Sequence, residues 1–261
     1  MPNDILASIK DNTRMIIVTH ASNVTGTITP IADISDIASK YGVVLVVDAA
    51  QTVGSVAIDV MDSGVDILVF TGHKSLYGPQ GTGGFYIRRG LEILIAPLER
   101  GGTGRRSELR EHPDFMHDRF ESGTPNTIGI AGLGATARHI SDIGIDKIHN
   151  KEINLMKMFV DGISTIGGIK VYGNPDTTMR TPLVSFNIDG MMPSDISYYL
   201  DERFNILSRP GLHCAPSAHR TLGTFPYGTV RFSFGMFTTE EEIEASVKAI
   251  KTISNGKRKL R

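Results

Sequence analysis

Two apolar runs that each end in a reactive side chain constrain this sequence more than any other feature. Residues 66–70, Asp-Ile-Leu-Val-Phe, have the length and composition of a buried strand. They run directly into Thr71-Gly72-His73-Lys74-Ser75-Leu76-Tyr77-Gly78-Pro79. Residues 43–47 form a second such strand, which ends in Asp48-Ala49-Ala50-Gln51. In an open α/β sheet, ligands collect just beyond the carboxyl ends of strands. One carboxylate and one lysine are therefore delivered to the same edge of one sheet.

That pair suits pyridoxal phosphate (PLP), which needs a lysine for its Schiff base and an acid for its pyridinium nitrogen. Asp48 stays ionised beside such a ring because the pyridinium supplies the pairing charge. Gln51 can donate to the ring phenolate oxygen, and Thr71 and His73 can donate to a phosphate. Each residue also has a plainer reading. A lysine after a strand is usually solvated, and an aspartate there often caps a turn, so the weight rests on their joint placement.

The rest of the chain extends this α/β pattern. A strand over residues 15–20 leads into the loop 21–27. Thr29 is then expected as an N-cap with Pro30 at the first helical position. Ile31, Ile34, Ala38 and Tyr41 form one helical stripe, which Gly42 ends. The strand–helix–strand order implies a right-handed crossover in a largely parallel sheet. The glycines of residues 78–84 match neither the Walker A nor the dinucleotide pattern, so they read as a turn before a strand at 85–87. Residues 99–127 form a long polar loop region of the functional or interfacial kind. Residues 129–166 are helical in two pieces broken near Gly144. Beyond them the sequence predicts strands at 169–172, 183–188, 205–208 and 229–234. Ser194 is expected to cap a helix through Leu200, and Thr238 with Glu241 to form a capping box for the last helix. The domain expectation is a large α/β domain over 1–149 and a small α+β domain over 150–261.

Composition excludes several classes. A net charge of −1 over 261 residues favours neither nucleic acid nor a membrane surface. No apolar run approaches the ~18 residues of a membrane span. The basic stretch 257–261 is expected as a solvated tail. The N-terminus shows no signal-peptide pattern. One cysteine, Cys214, allows no internal disulfide, which fits a reducing cytoplasm. No second cysteine and no spaced histidine pair accompanies it, so no metal site is expected.

Cys214 lies in Ser208-Arg209-Pro210-Gly211-Leu212-His213-Cys214-Ala215-Pro216. A lone cysteine is commonly a buried structural thiol. Here the Pro-, Gly- and His-rich setting predicts a mobile loop hinged at both ends, and Arg209 and His213 are expected to supply positive charge or protons that favour the thiolate. Arg231 lies within an alternating strand. Such an arginine is usually salt-bridged, but it is also a natural bidentate partner for a carboxylate. Asn23 follows a strand, where it is either a turn residue or a ligand contact.

Five stretches together resemble the cysteine desulfurases of the class V aminotransferase family, PLP enzymes of fold type I. They are residues 19–27 (Thr-His-Ala-Ser-Asn-Val-Thr-Gly-Thr), 47–51 (Val-Asp-Ala-Ala-Gln), 71–79, 121–126 (Glu-Ser-Gly-Thr-Pro-Asn) and 209–215 (Arg-Pro-Gly-Leu-His-Cys-Ala). The last is similar to the branch that holds the sulfur-mobilising desulfurases and selenocysteine lyase-like proteins. Leu212 departs from the histidine that many relatives carry.

The resemblance implies a PLP cofactor on Lys74, with Asp48 at the pyridine nitrogen, Gln51 at the phenolate oxygen, and Thr71 and His73 at the phosphate. Thr124 would reach the phosphate of a neighbouring subunit. Asn23 and Arg231, with Arg209 nearby, would contact substrate, and Cys214 would accept the sulfur. The implied reaction takes L-cysteine to L-alanine and passes sulfur to an acceptor protein. The family's chains are longer at the N-terminus, where a phosphate loop, a ring-stacking residue and several strands lie. The expectation is therefore an N-terminally truncated or split form, a homodimer or one that pairs with a partner chain, with an apolar sheet face to cover. The alternatives are a partner-dependent subunit without catalysis of its own, and a related class V aminotransferase or selenocysteine lyase.

Overall fold

The structure, a computed structural model, describes residues 2–102, 108 and 112–258. The side chains of Lys257 and Arg258 and residues 259–261, the expected basic tail, lie outside this description. The chain divides into two compact units.

The first unit joins residues up to 18, 30–54 and 58–142. Its elements are α1 (Pro2–Ser8), β1 (Met15–Thr19), α2 (Ile31–Tyr41), β2 (Val44–Asp48), β3 (Ile67–Thr71), β4 (Gly83–Ile87) and α3 (Thr127–Ile143). The strands form one sheet in the order β1-β2-β3-β4. β2 and β3 run parallel, with Asp48 beside Val69, and β4 returns antiparallel, with Phe85 beside Val69. Alternation decides which side chains are covered. Ile16, Leu45, Val47 and Leu68 share one face and pack under Ile31, Ile34 and Ala38 of α2. Ile34, Leu45 and Val47 are fully enclosed. Burying each such side chain contributes roughly 1.5–3 kcal/mol.

The opposite face is apolar but open. Ile17 is 70% exposed, Met15 43%, Phe85 42% and Val69 36%. The strand sequences are apolar on both faces, as in a sheet covered on both sides, whereas among the described residues the second face is covered only in part, at Ile67 and where Phe120 meets Phe85. An apolar face left to cover is what the sequence led one to expect. The start of α2 also shifts by one residue. Pro30, with ψ 84°, occupies the cap position, and its carbonyl accepts the first helical hydrogen bond, from Ile34 N–H at 3.3 Å. Tyr41 leaves the buried stripe and is 47% exposed beneath Lys40.

The second unit joins residues 19–29, 55–57 and those from 143 on. It contains α4 (Ile145–Ser164), β5 (Ile169–Tyr172), β6 (Leu183–Ile188), α5 (Pro193–Phe204), β7 (Arg209–Gly211), α6 (Pro216–Leu222), β8 (Thr229–Ser233) and α7 (Glu240–Arg258). Its sheet is antiparallel throughout, in the order β5-β6-β8-β7. Phe159 of α4 sits at the centre of the core, with ring centroids 4.9 Å from Phe232 and 5.3 Å from Phe234. Residues 19–29 pack on this unit through Ile28 N–H to the Met179 carbonyl (2.9 Å) and Thr181 N–H to the Gly26 carbonyl (2.8 Å). Gly26 has φ +70°, and a Cβ there would lie 3.0 Å from the Thr181 carbonyl oxygen.

Three expected features move. Residues 205–208 are not a strand. Asn205 is a left-handed cap for α5, Leu207 is 83% exposed, and pairing begins only at Arg209. α5 starts at Pro193 after the cap residue Met192, one residue ahead of Ser194. The capping box is formed by Thr239 and Glu242, with Thr239 N–H on the Glu242 carboxylate at 2.9 Å and Glu242 N–H on the Thr239 hydroxyl at 3.3 Å. Thr238 instead accepts from Gly235 N–H at 3.1 Å.

Candidate active site

In the first unit the sheet delivers its lysine and its carboxylate as the strand ends require. Asp48 is the last residue of β2, and Lys74 lies three residues beyond β3, its parallel neighbour. Both are exposed. Ala50 N–H donates to the Asp48 carboxylate at 2.9 Å, which fixes its orientation as the chain turns. Gln51 lies in that turn, closed by Thr52 N–H and Val53 N–H on the Ala49 carbonyl at 3.0 and 3.1 Å.

The lysine segment folds back tightly. Gly78 N–H meets the Gly72 carbonyl at 2.7 Å, and Tyr77 N–H meets the Lys74 carbonyl at 2.8 Å. The two turns touch at Gly54, where a Cβ would lie 2.4 Å from the Ser75 carbonyl oxygen. With φ +97° as well, this position requires glycine. Thr71 Oγ1 and His73 Nδ1 are 2.7 Å apart. Asp48, Gln51, Thr71, His73 and Lys74 thus share one sheet edge. Thr124 is exposed on the segment leading into α3, and no hydrogen bond among the described residues joins its side chain to that group.

This edge holds an amine, a carboxylate, an amide, and a hydroxyl–imidazole pair. Those groups match the aldehyde, basic ring nitrogen, phenolate and phosphate of PLP, so the residues present fit that cofactor.

The second unit gathers the thiol and the arginines. Arg209 on β7 and Arg231 on β8 stand directly opposite each other across the antiparallel pair. Arg209 Nη2 donates to Cys214 Sγ at 3.3 Å. Arg231 Nη1 donates to the Asn23 carbonyl at 2.8 Å, and its buried Nε has no hydrogen-bond partner among the described residues. Among the described residues neither guanidinium has a carboxylate ion-pair partner. Burial first, and then the Arg209 charge, press the Arg231 guanidinium below its ordinary value, while Cys214 acts the other way. Two like charges facing one another favour an anion between them.

Cys214 is exposed on the short connection, residues 212–215, between β7 and α6. His213 and Cys214 both adopt left-handed backbone, with φ 50° and 60°. The connection is tied at several points. Asn23 Nδ2 donates to the His213 carbonyl at 2.6 Å. His213 Nε2 lies 3.0 Å from Thr229 Oγ1. Ala215 N–H closes on the Leu212 carbonyl at 2.8 Å.

His213 also differs from expectation as a charge. Its ring is 2% exposed, and burial, followed by Arg231, His219 and Arg209, pushes its pKa down to about 4. It is therefore neutral near pH 7 and supplies no positive charge to the thiol. The nearby cations are Arg209 and Arg231.

Sequence reasoning did not find Thr229, which holds the His213 ring, or His219, whose ring centroid lies 5.4 Å from that of His213. It also did not find Glu152. That carboxyl is 2% exposed on α4 and is hydrogen-bonded by Ser55, while His149 reaches the Ser55 carbonyl at 2.9 Å. Burial raises the Glu152 pKa to about 7 against the opposing effects of Ser55 and Lys151. No helix among the described residues is long and apolar enough to cross a membrane.

Comparison with known proteins gives these geometries a family. A probable cysteine desulfurase from Methanothermobacter thermautotrophicus is 35% identical over 257 residues, which cover 97% of this chain and 64% of that protein. The apo structure of a cysteine desulfurase from Thermococcus onnurineus superposes with a TM-score of 0.91 at 34% identity, covering 98% of this chain and 63% of that one. A cysteine desulfurase structure from Escherichia coli gives a TM-score of 0.85 at 27% identity, covering 96% and 61%. The chain thus spans 61–64% of the length of these relatives. The expected α/β architecture of fold type I is the one found. The aminotransferase class-V profile matches residues 1–245, and the chain belongs to that family.

Proposed function

We propose that this chain acts as a PLP-dependent cysteine desulfurase, taking L-cysteine to L-alanine and leaving a persulfide on Cys214. The observation that carries the reading is the thiol held by Arg209, itself opposite Arg231. An amino-acid carboxylate supplies the anion that two guanidiniums without a carboxylate partner among the described residues favour. A thiol at the same place is positioned for the sulfur of that amino acid.

PLP, when bound, supplies an electron sink at the substrate Cα. Lys74 Nζ would hold the cofactor through its aldehyde carbon, and its amine, when free, would serve as the base for the substrate Cα proton. Asp48 would keep the ring nitrogen protonated, Gln51 would donate to the phenolate oxygen, and Thr71 and His73 would hold the phosphate, with Thr124 serving a neighbouring subunit's phosphate. Arg231 and Asn23 orient the substrate carboxylate. Cys214 Sγ attacks the substrate sulfur. The carbon–sulfur bond breaks, a sulfur–sulfur bond forms on Cys214, and the freed carbon is protonated to alanine. The persulfide then passes to an acceptor protein in the cytoplasm, as iron–sulfur cluster assembly requires.

A second reading, a subunit that works only with a partner chain or a second copy, is favoured by the open apolar face around Ile17. One experiment tests the cofactor assignment. The purified chain is mixed with PLP and treated with borohydride. The expected result is visible absorbance and a reduced adduct mapping to Lys74, both absent in Lys74→Ala. Identical spectra and no adduct in either protein contradict it.

A further inference from the structure

Asn23 occupies an unusual position among the contacts of the second unit. Its backbone carbonyl accepts from Arg231 Nη1 at 2.8 Å, and its side-chain amide donates to the His213 carbonyl at 2.6 Å. His213 is bonded to Cys214, whose sulfur accepts from Arg209, and Arg209 faces Arg231 across the strand pair. The contacts close a ring that runs Arg231, Asn23, His213, Cys214, Arg209 and back. Asn23 enters it from a segment 190 residues away in the chain.

The ring matters because the cysteine turn is backbone-strained. Left-handed φ is uncommon for residues other than glycine, and His213 and Cys214 adopt it consecutively. Such a conformation persists only where its surroundings over-determine it. The His213 carbonyl is held by Asn23 and its ring by Thr229. The segment carrying Asn23 is itself immobilised. Ser185 Oγ donates to the Val24 carbonyl at 2.5 Å, and Gly26 N–H donates to the Ser22 carbonyl at 2.9 Å.

We propose that Asn23 is a positioning residue for the nucleophile: it couples the Arg231 guanidinium to the turn that presents Cys214. An anionic ligand that draws Arg231 toward itself shifts the Asn23 backbone, and the Asn23 amide carries that shift to the His213 carbonyl. The amide has two hydrogens, so one can hold the turn while the other meets a bound carboxylate. The coupling deepens the desulfurase reading and rests on it for the identity of the anion, a small amino-acid carboxylate.

A double-mutant cycle tests the coupling without substrate or cofactor. Hydrogen–deuterium exchange is followed in the turn, residues 212–215, for the wild type, Asn23→Ala, Arg231→Lys and the double variant. Exchange across β6 serves as the check that the fold is intact, and Asn23→Ser is measured in parallel as a milder truncation. Asn23→Ala is expected to speed exchange in the turn about tenfold. Arg231→Lys is expected to speed it about threefold when Asn23 is present and not at all in the Asn23→Ala background. Additive effects of the two substitutions, or an unchanged turn in both Asn23 variants with β6 protected, overturn the proposal. No persulfide from L-cysteine alongside a non-additive cycle would overturn the reaction and leave the coupling standing.

Discussion

The Arg209 guanidinium donates to the Cys214 sulfur at 3.3 Å, from the strand position directly opposite Arg231. The thiol is therefore held inside a positive frame without any help from His213, which burial and two arginines keep neutral. A hydrogen bond to a charged group contributes about 1.5–3 kcal/mol. Arg209→Ala is accordingly expected to slow persulfide formation on Cys214 by roughly ten- to a hundredfold. Arg209→Lys recovers part of the rate, because an ammonium keeps the charge and loses the planar fork. Single-turnover measurement with PLP and L-cysteine reads both. Equal rates in all three proteins would remove Arg209 from the account.

Glu152 makes the second unit sensitive to pH on its neutral side. Its carboxyl titrates near 4.5 when unfolded and at about 7 in the fold. Between those values the folded state binds the extra proton, so stability falls as pH rises from 4.5 through 7. The change amounts to about 3 kcal/mol. Glu152→Gln keeps an acceptor for the Ser55 hydroxyl and cannot ionise. Denaturant unfolding is expected to give a profile for this variant that rises up to pH 6.5 through His213 and is flat from there to pH 8, and a protein more stable than wild type at pH 8. The acid limb behaves differently. It is set by His213, which titrates near 6.5 unfolded and at about 4 folded, so stability there is lost as pH falls from 6.5 to 4. Parallel profiles for wild type and Glu152→Gln would contradict the assignment.

The open sheet face predicts association. Met15, Ile17, Val69 and Phe85 are exposed apolar side chains of this sheet, the last two side by side, of the kind that draws a partner. Light scattering of the purified chain is expected to give a mass above that of a monomer. Ile17→Glu is expected to lower it at equal concentration while α2 and its buried face remain folded. A monodisperse wild-type monomer would count against a role for this face.

The features legible in the sequence were those written locally. Asp48 and Lys74 each follow an apolar run at once, and Gly144 interrupts the helical pattern between α3 and α4 with φ 93°. The capping box was read one residue early for a physical reason. Thr238 and Thr239 each have a glutamate three positions on, and only the Gly235 contact to Thr238 decides between them. Burial was the main thing hidden. His213 reads as a charge beside a thiol, and Glu152 as one more polar residue on α4, until their enclosure is known. The Asn23 bond to His213 joins residues 190 apart, so no spacing or period could announce it.

Persulfide labelling tests the central claim most directly. Wild-type chain, Cys214→Ser and Lys74→Ala are each incubated with PLP and L-cysteine, and in a second set with a partner chain supplying the segment that the longer relatives contain. Bound sulfane sulfur and released alanine are then measured. The account predicts sulfane sulfur on Cys214 in the wild type alone, with Cys214→Ser keeping the cofactor absorbance and forming no transferable sulfur. Alanine and sulfide released by Cys214→Ser at the wild-type rate would contradict it, and would make the cysteine a bystander in a lyase or transaminase.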